Sequence, residues 1–216
     1  MDATRSFSVP LLHGSVAGHT LAGQRVSGDL HLVTSFSKGV LIAVVDGLGH
    51  GEDAVAAAHT AILTLREHAE EHVVALFQQC HEQLKNTRGV VMSLASVRAH
   101  DGLMTWAGVG DVEGVLLRED VNAGLVRESL PLRGGVVGYQ LPPLRATVLP
   151  VRRGDILIFA TDGLRSSFVQ EPLLRNPLLR RAQDGPQQLA DQLLTQYGKA
   201  TDDALVLVAR YLGAGL

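Results

Sequence analysis

Two short, wholly apolar runs in this chain end on the same dipeptide. Val40–Val45 (VLIAVV) leads directly into Asp46-Gly47, and Ile156–Ala160 (ILIFA) leads through Thr161 into Asp162-Gly163. A third run, Ala204–Ala209, is preceded by Asp202-Asp203, and Asp29 precedes the strand that begins at Leu30. Apolar runs this short, bounded by turn formers, read as strands with both faces buried. Covering both faces of several such strands takes two sheets packed together with helices outside. The expected fold class is α+β: two antiparallel sheets in a β-sandwich, flanked by helices.

The remaining periodicity fits that frame. Ser6–Leu12, with Pro10 inside it, reads as an edge strand. Leu30–Phe36 and Val40–Val45 flank Ser37-Lys38-Gly39 as a hairpin. From Glu52 the period changes: Val55, Ala58, Ile62, Leu65 and Ala69 form one helical face, and Val73, Phe77, Cys80 and Leu84 form a second. Val90–Val97, Leu103–Val109 and Val112–Leu117, separated by Asp101-Gly102 and Gly110-Asp111, read as an antiparallel meander. The Gly- and Pro-rich stretch from Glu119 to Pro143 reads as loops. Arg145–Leu149 and Ile156–Ala160 are further strands. Glu171–Gln183 is ambiguous, because Pro172 and Pro177 interrupt any helix. Pro186–Tyr197 reads as a helix with proline in its first turn, and Ala204–Tyr211 as a final strand.

Composition narrows the function classes. Of 216 residues, 46% are apolar and 19% charged, which supports a packed core and excludes disorder. No apolar run exceeds six residues, and the N-terminal MDATRSFSVPLLHG lacks the basic-then-apolar pattern of a signal peptide. The chain reads as one domain over 1–216, cytoplasmic, with no membrane partner. Net charge is −3, and the one local basic cluster is Arg175, Arg180 and Arg181. Without a basic stripe, and with aromatics at 4%, a nucleic-acid partner is not expected. The single cysteine, Cys80, excludes an internal disulfide and reads as a buried core residue.

The aspartates at strand ends admit two readings. Asp-Gly is a strong hairpin signal, and each pair alone could be turn chemistry. Yet Asp46-Gly47 is followed by Leu48-Gly49-His50-Gly51 and a helix, and Asp162-Gly163 by Leu164 and a non-hairpin segment. If the strand ends converge, the carboxylates repel one another unless a cation compensates. Oxygen-only ligands favour Mg²⁺ or Mn²⁺ over zinc.

These residues resemble the metal-dependent PPM (PP2C-like) serine/threonine phosphatases, in their compact bacterial SpoIIE/RsbX-type branch. The resemblance rests on Ser27-Gly28-Asp29, Asp46-Gly47-Leu48-Gly49-His50-Gly51, Trp106-Ala107-Gly108-Val109-Gly110-Asp111, Ala160-Thr161-Asp162-Gly163-Leu164 and Thr201-Asp202-Asp203. They stand in family order and span Gly28 to Leu207. The resemblance implies a four-layer α/β/β/α sandwich. It implies that Asp46 bridges two Mn²⁺ or Mg²⁺ ions, that Gly47 offers a carbonyl to one, and that Asp162 and Asp202 complete the second ion's ligands. Asp29 would orient bound water and Asp203 would give support. Two ions about 3.5–4 Å apart lower the pKa of a shared water and stabilise charge on the phosphoryl group. His50 either protonates the leaving alkoxide or merely starts the helix, and the other eight histidines are expected on solvated faces. Arg25 lies near the place where many members hold phosphate, and equally reads as a surface residue. Ala204 and Leu205 stand where the family often has threonine.

The implied activity is hydrolysis of phosphoserine or phosphothreonine. The implied substrate is a phosphorylated STAS-domain protein of a stressosome-type complex, acted on by a monomer. The alternative is a catalytically degenerate binding module in the same regulatory network.

Overall fold

The computed structural model describes residues 3–120, 124–171, 174 and 182–213. Strands β1 (Ala3–Val9), β2 (Leu12–His19), β3 (Asp29–Phe36) and β4 (Gly39–Gly47) come first. Helices α1 (Glu52–Glu67) and α2 (Val73–Leu84) follow, then strands β5 (Val90–Arg98), β6 (Leu103–Val109), β7 (Glu113–Asp120), β8 (Gly124–Ser129) and β9 (Leu132–Arg133). The described chain closes with β10 (Thr147–Pro150), β11 (Ile156–Ala160), a single 3₁₀ segment (Ser166–Gln170), α3 (Gly185–Tyr197) and β12 (Ala204–Tyr211). One sheet has the order β10-β6-β5-β4-β3, with the two-residue β9 alongside β6, and the other has the order β1-β2-β12-β11-β7-β8. All described pairings are antiparallel except β6 with β9.

Alternate side chains of the apolar strands enter different layers, as a period of two requires. On β4, Leu41, Ala43 and Val45 pack under α1 and α2, while Val40, Ile42 and Val44 face the other sheet. On β12, Leu205, Leu207 and Ala209 enter that same middle layer, while Ala204, Val206 and Val208 pack against α3. Three apolar layers therefore separate helices, sheet, sheet and helix. The four-layer α/β/β/α sandwich expected from the sequence is the observed fold. Cys80 is fully buried, and burial pushes its thiol up to about 12, far from a nucleophile's range.

Four local expectations change. The N-terminal strand stops at Val9, because Pro10 occupies the turn into β2, which the sequence reading did not separate. β2 lacks a strong apolar alternation because its small residues are needed: a side chain at Gly14 would meet the Phe7 ring and the Val208 carbonyl at 2.4 Å. β7 is not the third strand of a meander, since β6 already lies between β5 and β10, and the chain crosses at Gly110-Asp111 to pair β7 with β11 and β8. The loop expected over Glu119–Pro143 contains β8 and β9. Residues 172–173 and 175–181, which carry most of the ambiguous segment and the Arg175, Arg180, Arg181 cluster, lie outside the described residues.

Candidate metal centre

The hairpin β3–β4 fixes the first pair of carboxylates. Its register sets Asp29 directly opposite Asp46, at the end where β3 enters the sheet and β4 leaves it. Like charges facing each other across a strand pair are destabilising unless something compensates. The second sheet delivers the other two groups: Asp162 follows β11 and Asp202 precedes β12, and those strands are adjacent. The antiparallel order thus places the exit of one strand beside the entry of its neighbour, at the same end of the sandwich.

The two glycines that follow these aspartates are not hairpin turns. Neither has a positive φ. A side chain on Gly47 would stand 2.1 Å from the Ala54 carbonyl of α1, and one on Gly163 would stand 1.8 Å from the Asp203 carbonyl. Both glycines allow close backbone approach. Asp162 and Gly163 also sit in a tight turn, with the Leu164 N–H donating to the Thr161 carbonyl at 3.0 Å, but that turn leads into the 3₁₀ segment and not into a partner strand. Gly47 is buried behind the cleft wall, and its N–H donates to the Gly28 carbonyl at 3.2 Å.

Asp46, Asp162 and Asp202 line one cleft of about 540 Å³, together with Leu48, Gly49, His50, Asp111 and Thr201. His50 is exposed at this cleft. Asp29, 6% exposed, sits behind Asp46 and lines a smaller neighbouring cavity of about 270 Å³. Its Oδ2 accepts a hydrogen bond from Thr161 Oγ1 at 2.7 Å, and the same Oγ1 accepts from the Leu205 N–H at 2.9 Å. Thr161 therefore bolts the two sheets together beneath the site.

Electrostatics follow from this crowding. Burial, then the charges of Asp29, Asp162, Asp111 and Asp202, push the Asp46 carboxyl up to about 9. Burial also raises Asp29, to about 7, against the Thr161 hydrogen bond and with Asp203, Asp162 and Asp202 adding to the rise. Asp162 is raised by burial, Asp111 and Asp202, and held back by Lys199. Among the described residues, no lysine, arginine or histidine forms a salt bridge with any of these four carboxylates.

Asp203 plays a different part from its neighbour. Its Oδ1 accepts the Leu21 N–H and its Oδ2 the Gly28 N–H, each at 2.7 Å. Both oxygens are spent on backbone, so Asp203 clasps the approach to β3. The sequence reading missed three further participants. Asp111 lies in the same cleft, and its signal was the Gly110-Asp111 pair at the end of β6. Lys199 donates from Nζ to the Asp162 carbonyl. His19 is half-buried, contrary to the solvated position expected for it, and its Nε2 faces the carbonyls of Lys199 at 3.0 Å and Asp202 at 3.2 Å. Two acceptors oblige that nitrogen to carry the hydrogen. Arg25 is exposed.

The donor set fits hard divalent cations. It consists of carboxylates and backbone carbonyls, and among the described residues the only cation noted against the mutual repulsion is Lys199, which bears on Asp162 without forming an ion pair. Among the described residues no three carboxylate, imidazole or thiol side chains are set to hold a metal ion by themselves, so carbonyls and water would have to complete the ligands. Few protein ligands and several retained waters are what Mg²⁺ and Mn²⁺ accept.

The PP2C phosphatase domain of SpoIIE from Bacillus subtilis and the SiaA PP2C domain of Pseudomonas aeruginosa share this layered fold. The family model for stage II sporulation protein E (SpoIIE) matches residues 37–212 of this chain, which belongs to that family. It is 26% identical over 151 residues to the phosphoserine phosphatase RsbX of Bacillus subtilis (strain 168), covering 70% of this chain and 74% of that one. A solved chain described with the bacterial stressosome, a modular system adapted to control secondary messenger signalling, is 29% identical. It aligns with a TM-score of 0.80 over 93% of this chain and 98% of that one. RsbX in complex with magnesium aligns with a TM-score of 0.80 at 19% identity, over 97% of this chain and all of that one.

Proposed function

We propose that this chain is a metal-dependent protein serine/threonine phosphatase, and that its substrate is a phosphorylated STAS-domain regulator of a stressosome-type complex. The observation that carries the reading is the convergence of Asp29, Asp46, Asp162 and Asp202 from two sheets, with no basic side chain among the described residues paired to them. The likeness to a phosphoserine phosphatase and to a stressosome chain supports the reaction and the partner.

Asp46, Asp162, Asp202 and the Gly47 carbonyl would hold two Mn²⁺ or Mg²⁺ ions. Bound there, divalent cations ionise solvent near neutral pH and neutralise charge on the phosphoryl oxygens. The chain does the rest. The β3–β4 register fixes Asp46 against Asp29, and Thr161 holds Asp29 in place to orient water from behind. Lys199 and His19 anchor the segment that presents Asp202. His50, exposed at the cleft, supplies a proton to the departing serine or threonine oxygen. No side-chain nucleophile is required. Among the described residues no helix is long and apolar enough to cross a membrane.

The test is hydrolysis of p-nitrophenyl phosphate and of a phosphoserine STAS protein with Mn²⁺. The reading expects both, abolished by EDTA. Metal binding without hydrolysis of either substrate would leave a binding module in place of an enzyme.

A further inference from the structure

An acidic cleft repels the dianionic phosphate monoester it has to admit, so a cation at its mouth has direct consequences for binding. Lys199 is committed to the Asp162 carbonyl. Arg88 is not committed in this way. It stands on the turn between α2 and β5, and that turn is tied down at several points. The Thr87 hydroxyl donates to the Leu84 carbonyl at 2.8 Å and accepts the Gly89 N–H at 3.0 Å. The Leu48 N–H donates to the Gly89 carbonyl at 3.1 Å, joining this turn to the segment that follows Asp46. Gly49 lines the cleft with a φ of +85°, and a side-chain carbon placed on it would stand 2.7 Å from Arg88 Nη1. The guanidinium therefore stands beside a cleft-wall residue.

Its ion pair is with Asp53 in the first turn of α1, Nη2 to Oδ2 at 3.1 Å, where the arginine and aspartate side chains are 52% and 71% exposed. An exposed pair of this kind is weak and easily exchanged. A phosphate offers the fork two oxygens and twice the charge.

We propose that Arg88 is the residue that captures the substrate's phosphoryl group at the rim of the cleft, with Asp53 parking the guanidinium until substrate arrives. The inference rests on the phosphatase reading and assigns within it a phosphate-binding residue that comes from the turn before β5. Binding exchanges the Asp53 carboxylate for phosphoryl oxygens without any covalent step.

The experiment uses the full chain with Mn²⁺, p-nitrophenyl phosphate as substrate and inorganic phosphate as competitive inhibitor. Arg88→Ala is expected to raise both KM and the phosphate Ki about tenfold, with kcat within threefold and an unchanged melting temperature. Arg88→Lys, which keeps charge but loses the fork, falls between. Asp53→Ala separates capture from a structural strut: release of the guanidinium leaves KM and Ki unchanged or lower. An unchanged Ki in Arg88→Ala, or an Asp53→Ala variant that weakens phosphate as Arg88→Ala does, would overturn the role of Arg88 in an active enzyme. An inactive wild type would overturn the phosphatase reading and this inference with it.

Discussion

Replacing Asp203 by alanine removes the acceptor for two backbone N–H groups, those of Leu21 and Gly28, each 2.7 Å from a carboxylate oxygen. A hydrogen bond to a charged acceptor contributes about 1.5–3 kcal/mol. Gly28 is buried, so its orphaned N–H has no water to turn to, while half-buried Leu21 recovers part of its loss. The substitution also withdraws a charge that pushes the Asp29 carboxyl up, which returns roughly 1 kcal/mol. The balance is a loss of about 3 kcal/mol. For a chain of this length each kcal/mol moves the melting temperature by about 2–4 °C, so scanning calorimetry of metal-free protein at pH 7 should show a fall of about 6–12 °C. Asp202→Ala is the comparison, because among the described residues its carboxylate accepts only the Asp203 N–H, at 3.0 Å. It should lose less than half as much. A fall below about 2 °C for Asp203→Ala, or an equal fall for both variants, would refute the division of labour between these adjacent aspartates.

Three further outcomes are expected. Asp29 and Asp46 titrate at about 7 and about 9 in the fold, against 3.8 for an unperturbed aspartate, so the folded state holds extra protons. Stability in EDTA should therefore fall as pH rises from 6 to about 9 and saturating Mn²⁺ should remove that slope, with melting temperature as the measurement. Thr161→Val keeps the shape but strips the donor from buried Asp29 and the acceptor from the Leu205 N–H, at a cost of about 3 kcal/mol by urea denaturation. Gly163→Ala forces a carbon to within 1.8 Å of the Asp203 carbonyl, which should cost about 3 kcal/mol in the same assay and reduce hydrolysis by displacing Asp162.

The layered fold was legible because the chemistry of burial is periodic. The alternation along β4 and β12 and the helical spacing from Glu52 and Val73 each state which side needs covering, and the observed layers obey them. The strand-end aspartates were legible for a related reason: an ionisable group placed straight after a doubly buried strand must meet whatever lies at that end of the sandwich. What failed was information held between distant segments. Gly110-Asp111 has the composition of a hairpin turn, and only the crowding of β6 by β5 and β10 sends β7 to the other sheet and Asp111 into the cleft. β2 is poor in branched residues because neighbouring backbone fills the space their side chains would take. The partners of His19 lie 180 and more residues away, beyond the reach of local pattern.

Titration calorimetry of Mn²⁺ into the wild type and into Asp46→Asn, repeated in two buffers of different ionisation enthalpy, addresses the metal centre directly. The wild type should bind with release of protons, because the Asp46 carboxyl, held up to about 9, must ionise to accept the ion, while Asp46→Asn should give no binding heat. A wild type that gives no heat, or an Asp46→Asn variant that binds manganese as the wild type does, would contradict the account.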